Sequence, residues 1–386
     1  MNTLKMSSLQ KLTSFILIAV LLVCTVGFAA NGWQSPQEDD PDSDKVGDQT
    51  DNVDENIDGN SPPQQDPTDT SGDDIQKNPQ DNEVTPAPSL PVYINPITGL
   101  EISAEQSTQT PIGFVLDPKA PLYGVSGSDL ALEFPLEDGN TRMLSYTTNY
   151  SMLWKVGTLV PTRAFISGSS NLFGGIVVSY GNDDIVKYSA WETSKIDLDI
   201  SDIKDCYYVE NTLYVYTSKE LIDIAKKTNT TLSMSAYKAA PYLLNNSETD
   251  IVGTSEAMTV TIPYSDKNET ELYYSESSGD YLYFKSGSRK VDMLNGKNVS
   301  FKNIFVLFAN ATTYEKADGT ELVIDTLSGG AGYYISAGTV TEIRWSINEN
   351  GAIEFKTLDG KQLTANKGNS YISYYKASCA SSVIIK

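Results

Sequence analysis

Ser128-Asp129-Leu130-Ala131-Leu132-Glu133-Phe134, followed by the turn Glu137-Asp138-Gly139-Asn140 and then by Arg142-Met143-Leu144-Ser145-Tyr146-Thr147, is the stretch that decides the fold. Alternation puts Leu130, Leu132 and Phe134 on one face and Asp129, Ala131 and Glu133 on the other. A period of two over seven residues specifies a strand, here with one side packed and the other carrying two carboxylates. The Asp-Gly pair between two such runs joins them as a hairpin.

Reading toward the C-terminus, Gly175-Ile176-Val177-Val178-Ser179-Tyr180 predicts a buried strand. Ser218–Lys227 predicts a helix, capped by Ser218, with Leu221, Ile224 and Ala225 on one face and lysines at its end. From about Met258 only strands and turns follow. The apolar runs at residues 259–262, 281–284, 304–307, 322–324, 332–335, 341–345, 353–355 and 370–374 are separated by turns that include Asp318-Gly319, Asn350-Gly351 and Asp359-Gly360. Short strands at this spacing predict a sandwich or barrel-like domain. The expected architecture is an α+β N-terminal domain over residues 92–232 followed by an all-β C-terminal domain over residues 255–386.

Toward the N-terminus the texture is different. Lys5 and Lys11 precede an uncharged apolar run from Phe15 to Ala30. This is the pattern of a secretory signal, and the run is shorter than the roughly 20 residues a spanning helix prefers. Residues 1–30 are therefore expected to be a signal peptide or a signal anchor. Gly27-Phe28-Ala29 suits cleavage by ordinary signal peptidase, whereas Cys24 would be the lipidated residue of a lipoprotein, although Val23 stands where a small residue is usual. A lipid would hold the protein to the membrane, and the ordinary cut would release it.

Residues 31–91 form an acidic linker. Between Glu38 and Glu83 sixteen carboxylates face two lysines, most of the chain's net charge of −22. With no aromatic residue between Trp33 and Tyr93, such a segment cannot bury enough apolar surface to offset its chain entropy, and its like charges extend it. A disordered tether is expected. Asp54-Glu55-Asn56-Ile57-Asp58-Gly59 has the first half of a calcium loop, but Gln65 occupies the twelfth position, so a solvated acidic run is the plainer reading.

Several motifs of the folded part resemble those of the YerB-like bacterial lipoproteins, a two-part family of unknown function. Asn95-Pro96-Ile97-Thr98-Gly99-Leu100 is similar to the family's opening Asn-Pro-Leu-Thr-Gly motif. Gly124–Glu133 is similar to its Gly-Leu-x-x-Ala-Asp-Ile-Val-Tyr-Glu, and Glu137–Arg142 to its Glu-Gly-Gly-Ile-Thr-Arg. Val156-Gly157 and Arg163 fit its Ile-Gly-Pro-x-Arg-Ser-x-Arg, while Gly329–Tyr334, Trp345 and Asp359-Gly360 fall where its C-terminal β domain has like residues. The likeness runs over nearly all of residues 93–376 and implies an envelope location. Two departures stand out. Val160 replaces the first arginine of the Arg-Ser-x-Arg pair, and residues 177–182 lack the family's His-Ala-Gly-Gly motif.

The chain contains no histidine, which excludes Ser-His-Asp and Cys-His nucleophiles and imidazole ligands for zinc. Beyond the signal only Cys206 and Cys379 remain, either as one disulfide or as two unpaired thiols. No metal or cofactor is called for. Ser328–Gly332 is read as a tight turn rather than a phosphate cradle because a strand follows it. A net charge of −10 over residues 84–386, without a Lys/Arg-rich run, argues against nucleic acid.

The polar residues that remain, Asp129, Glu133, Glu137, Asp138, Arg142 and Arg163, are the candidate ligand-binding set. Arg142 or Arg163 is expected to pair with Glu133. The 23 tyrosines read first as strand residues, and second as a surface for sugar or peptide. Two functions follow. One is a non-catalytic protein, extracytoplasmic and either membrane-anchored or secreted, that binds a wall polymer or an envelope protein. The other is a carboxylate-dependent hydrolase of an envelope glycan.

Overall fold

The hairpin that opened the sequence argument lies at the middle of an eleven-stranded sheet. The computed structural model describes residues 91–149, 153–168, 170–181, 197–201, 207–210, 212–215, 240–317 and 319–386. The expected signal, residues 31–90 of the acidic linker with its calcium-like loop, the expected helix at 218–227, Asp318 and Cys206 lie outside the described residues. Residues Thr85–Lys386 form one compact unit.

From one edge, the long sheet runs Ser255–Glu256, Thr339–Ile347, Gly330–Ser336, Asn303–Ala309, Ser370–Lys376, Leu130–Pro135, Thr141–Thr147, Ile112–Leu116, Ile176–Ser179 and Asp197–Asp199, with Ile353–Thr357 also paired to Thr339–Ile347. The join between the two expected segments is the strand Ser370–Lys376. It pairs parallel with Asn303–Ala309 on one side and with Leu130–Pro135 on the other. One sheet therefore runs through both segments. Short helices at Ala164–Ser167 and Ser170–Phe173 belong to the N-terminal segment. Beyond residue 255 the described elements are strands, apart from a 3-10 turn at Ala377–Ser382, so the α+β part is followed by an all-β part as expected.

The strands predicted from the alternating runs are present, several of them longer than the runs themselves. Strands that were not predicted are also present, the longest of them Asn268–Ser275, Ala311–Lys316 and Ile112–Leu116, together with several short ones such as Ser255–Glu256 and Asp197–Asp199. Gly139, Gly351 and Gly360 adopt positive φ at their turns, which the missing Cβ makes inexpensive.

A second sheet, in the order Ser288–Arg289, Asp280–Lys285, Asn268–Ser275, Thr259–Ser265 and Ile384–Ile385, with Ser300–Phe301 also on Asp280–Lys285, packs over one face of the first. Ala131 and Met143 of the hairpin meet Val260, Leu272, Tyr281 and Tyr283 there, with Tyr371 from the long sheet. The opposite face of the hairpin carries Leu130, Leu132 and Phe134 into a second core with Phe165, Phe305, Phe355, Trp345 and Tyr374. Phe134 stacks on Tyr374 with centroids 5.1 Å apart. All six residues of Leu130–Pro135 are buried, which corrects the expectation of a strand packed on one side only. Alternation identifies the residues that share a face but does not tell whether a second sheet covers that face.

Candidate functional site

Of the two strand-face carboxylates, Glu133 is fully buried and held by five donors. Its Oε1 accepts hydrogen bonds from Thr141 Oγ1 at 2.6 Å and Lys285 Nζ at 2.5 Å. Its Oε2 accepts from Tyr371 OH at 2.6 Å, Tyr283 OH at 3.0 Å and Thr270 Oγ1 at 3.0 Å. Lys285 Nζ also donates to Thr270 Oγ1 at 3.0 Å and lies 4.5 Å from the centroid of the Tyr264 ring. Burial by itself raises the Glu133 carboxyl, but the Lys285 charge and the hydrogen bonds outweigh it and the net shift is downward. Burial pushes Lys285 down, against the pull of Glu133. Burial, and then the Glu133 charge, push the phenols of Tyr264, Tyr283 and Tyr371 well up, so they stay protonated. The expected partner of Glu133 was Arg142 or Arg163. The actual partner is Lys285, from the sheet that covers this face. With every lone pair engaged and no solvent contact, the group stabilises the join between the two sheets.

The other candidates are similarly engaged. Arg163 Nη2 pairs with Glu137 Oε1 at 2.8 Å, and its Nη1 lies 3.6 Å from Glu321 Oε1. Glu137 Oε2 accepts from the Leu322 amide at 3.2 Å, which ties this pair to the strand Gly319–Ile324. Arg142 Nε donates to the Pro161 carbonyl at 3.1 Å. Asp138 accepts from the Asn140 amide within its turn, at 2.8 Å. Cys379 is a free, half-buried thiol. Tyr281, Tyr283, Tyr371, Tyr374 and Tyr375 are core residues, in keeping with the strand reading of tyrosine. At Ser328–Gly332 the Leu327 and Ser328 amides donate to Asp325 Oδ1, and Gly329 has φ +79°, which makes a turn of it.

Asp129 has a different setting, at the wall of a cleft of about 440 Å³ lined also by Thr98, Ser128, Asp280, Lys302 and Lys367. Two family-like motifs meet here. Asn95 Oδ1 accepts from the amides of Ile97 and Thr98, and the Gly99 amide donates to the Asn95 carbonyl, so the Asn-Pro-Ile-Thr-Gly run is a side-chain-capped turn. Gly99 takes φ +68° to close it. Gly368 N then donates to the Thr98 carbonyl at 2.8 Å and docks the turn on the C-terminal segment. From the second motif, Asp129 Oδ2 accepts from Thr148 N at 2.8 Å and Thr148 Oγ1 at 2.9 Å, so its carboxylate is fixed in place. Asp292, fully buried, holds the preceding loop through Gly124 N and Ser126 N, at 2.8 and 2.9 Å.

Across the cleft, Lys302 Nζ donates to Asp250 Oδ2 at 2.5 Å and to the Gly279 carbonyl at 3.1 Å. Burial pushes the Asp280 carboxyl up from its ordinary range, against the Lys302 charge. Lys367 is exposed. The cleft thus has two aspartates in unlike environments and two lysines: Asp129, Lys302 and Lys367 lie in connections between strands, and Asp280 begins the strand Asp280–Lys285. The alternating pattern singled out Asp129. Asp280, Lys302 and Lys367 had no sequence signal, because they approach Asp129 only through the packing of the two segments.

The comparisons with known proteins agree with this architecture. Residues 260–372 match the model of the C-terminal domain of a protein family of unknown function, DUF3048. The fold is similar to the crystal structure of the YerB protein from Bacillus subtilis, with a TM-score of 0.65 and 23% sequence identity, over 76% of this chain and 99% of that one. No curated protein matches the chain.

Proposed function

With a YerB-like, DUF3048-type chain as the premise, we propose that this is an exported envelope protein that binds a wall polymer or an envelope protein through the Asp129 cleft, without turning it over. The observation that carries this reading is the separation of roles among the polar residues. Glu133, Glu137 and Arg163 serve to join strands, whereas Asp129 opens onto a cleft with cations and carboxylates held on a strand end and on hydrogen-bonded connections. A rigid, mixed-charge cleft suits recognition of a polar partner, since preorganised groups lose little entropy on binding. The signal-like N-terminus and the acidic linker support a position outside the cytoplasm, with the folded part held away from a membrane or wall.

Two measurements test the proposal. Full-length protein is co-sedimented with isolated cell-wall material, wild type against Lys367→Glu. Reversing one exposed cation at the cleft is expected to weaken binding about tenfold, equivalent to roughly 1.4 kcal/mol, with unfolding unchanged. Binding that is absent, or undiminished in the variant, removes the cleft from consideration. The second measurement is the intact mass and N-terminal sequence of the native protein. A start at diacylglyceryl-modified Cys24 is the expected result for a tethered protein, and a start near Ala30 in the medium refutes the tether.

One observation favours a second reading, a glycan hydrolase: Asp129 and Asp280 line the same cleft, and burial moves Asp280 toward the range of a general acid. Release of reducing ends from wall glycan, abolished by Asp280→Asn, would establish it over the binding role.

A further inference from the structure

Two charges that face the Asp129 cleft are left unspent there, one of each sign. Lys367 is exposed, and its ammonium has no ion-pair or hydrogen-bond partner among the described residues. Its stem runs beside the Asn-Pro-Ile-Thr-Gly turn, where a Cβ on Gly99 would stand 3.1 Å from Lys367 Cγ. Asp280 is half-buried on the same cleft and forms no ion pair among the described residues. Its hydrogen bond from Ser300 Oγ is long, at 3.4 Å.

The cation near Asp280 is committed elsewhere. Lys302 Nζ is held by Asp250 Oδ2 and the Gly279 carbonyl, and its stem lies under Gly368, where a Cβ would stand 2.5 Å from Lys302 Cβ. Asp129, fixed by Thr148, adds a second carboxylate to the wall. Burial without a paired cation disfavours the Asp280 charge, so an ammonium brought in by a ligand would relieve that cost. Opposite charges that share a cleft without pairing are complementary to a molecule that carries both. A neutral glycan would leave both unanswered. We infer that the cleft takes a zwitterionic ligand, with an ammonium group toward Asp280 and Asp129 and a carboxylate or phosphate group at Lys367. This rests on the reading of the Asp129 cleft as the binding site, and it narrows the partner to one whose bound segment carries an amine close to an acid.

The test is a ligand-observed NMR titration of the full chain at pH 7.5 and constant ionic strength. The zwitterions are β-alanine, 6-aminohexanoate and O-phosphoethanolamine, and the singly charged ligands are propylamine and propionate. At least one zwitterion should bind saturably and about tenfold or more tighter than either singly charged ligand. The two amino acids differ in length and so read the separation of the charges, while tighter phosphoethanolamine identifies a phosphate-bearing partner. Lys367→Gln and Asp280→Asn should each weaken the tightest zwitterion by about tenfold or more. No gain over the single charges, or an affinity unchanged in either variant, overturns the inference. Should Asp280→Asn fail to fold, the exposed Lys367→Gln decides alone. Zwitterions that fail while Lys367→Glu still weakens binding to wall material refute the ligand class and leave the cleft as the binding site. Zwitterions that bind where wall material does not refute the wall polymer alone.

Discussion

Glu133→Ala will destabilise the protein by about 3–5 kcal/mol, because it removes one partner of a fully buried pair and leaves the other charged. Lys285 then has no counter-charge, and Tyr283, Tyr371 and two threonines lose their acceptor. Urea unfolding of the single variant, of Lys285→Met and of the double variant gives the coupling between the two residues. The double variant should recover part of the loss, since no unpaired ammonium stays buried. A single-variant loss below about 1 kcal/mol would contradict the structural role assigned to the pair.

The same pair predicts an acid limb. The folded-state value of Glu133 lies below its ordinary 4.5, so its contribution to stability is complete above that value and is lost as pH falls through the depressed one. Lys285 acts in the opposite sense. Its folded-state value is also depressed, so the folded state binds its proton more weakly, and stability is gained only as pH rises through that value. Unfolding followed from pH 6 down to 2 should therefore fall more steeply in wild type than in Glu133→Gln, which has no proton to take up.

Arg163→Met is expected to cost a similar amount, about 3–5 kcal/mol, for the complementary reason. It strands Glu321, whose side chain is fully buried, and Glu137, whose side chain is 21% exposed, without the cation between them. Thermal unfolding at pH 7.5 of wild type, of Arg163→Met and of Arg163→Met with Glu321→Gln measures this. The second substitution removes the stranded buried carboxylate and should recover part of the loss, whereas no recovery would mean that Arg163 acts by packing alone.

Much of the strand framework was legible because strand periodicity is local. Leu130, Leu132 and Phe134 share a face whatever surrounds them, and the Asp-Gly turns mark where chains reverse. The missed strands show the limit of that signal. Ile112–Leu116 is buried along its whole length, so no polar residue alternates within it. Asn268–Ser275 carries Asn, Glu and Thr at positions that turn out to be structural, Asn268 and Thr270 both being buried.

What the sequence by itself determined was therefore the alternating strands and their turns, the order of an α+β part and a β part, and the exclusion of histidine chemistry. Only the tertiary structure decided which face each carboxylate meets. Glu133 is paired with a lysine 152 residues further along the chain, brought to it by a sheet that packs over the hairpin. Asp129, four residues earlier, reaches a cleft assembled from residues 98–100, 126–129, 280, 302 and 367–369, which are far apart in the chain. The physical reason is that backbone periodicity is set by bonds between neighbours, whereas burial, counter-charge and cleft membership are set by contacts between residues far apart in sequence.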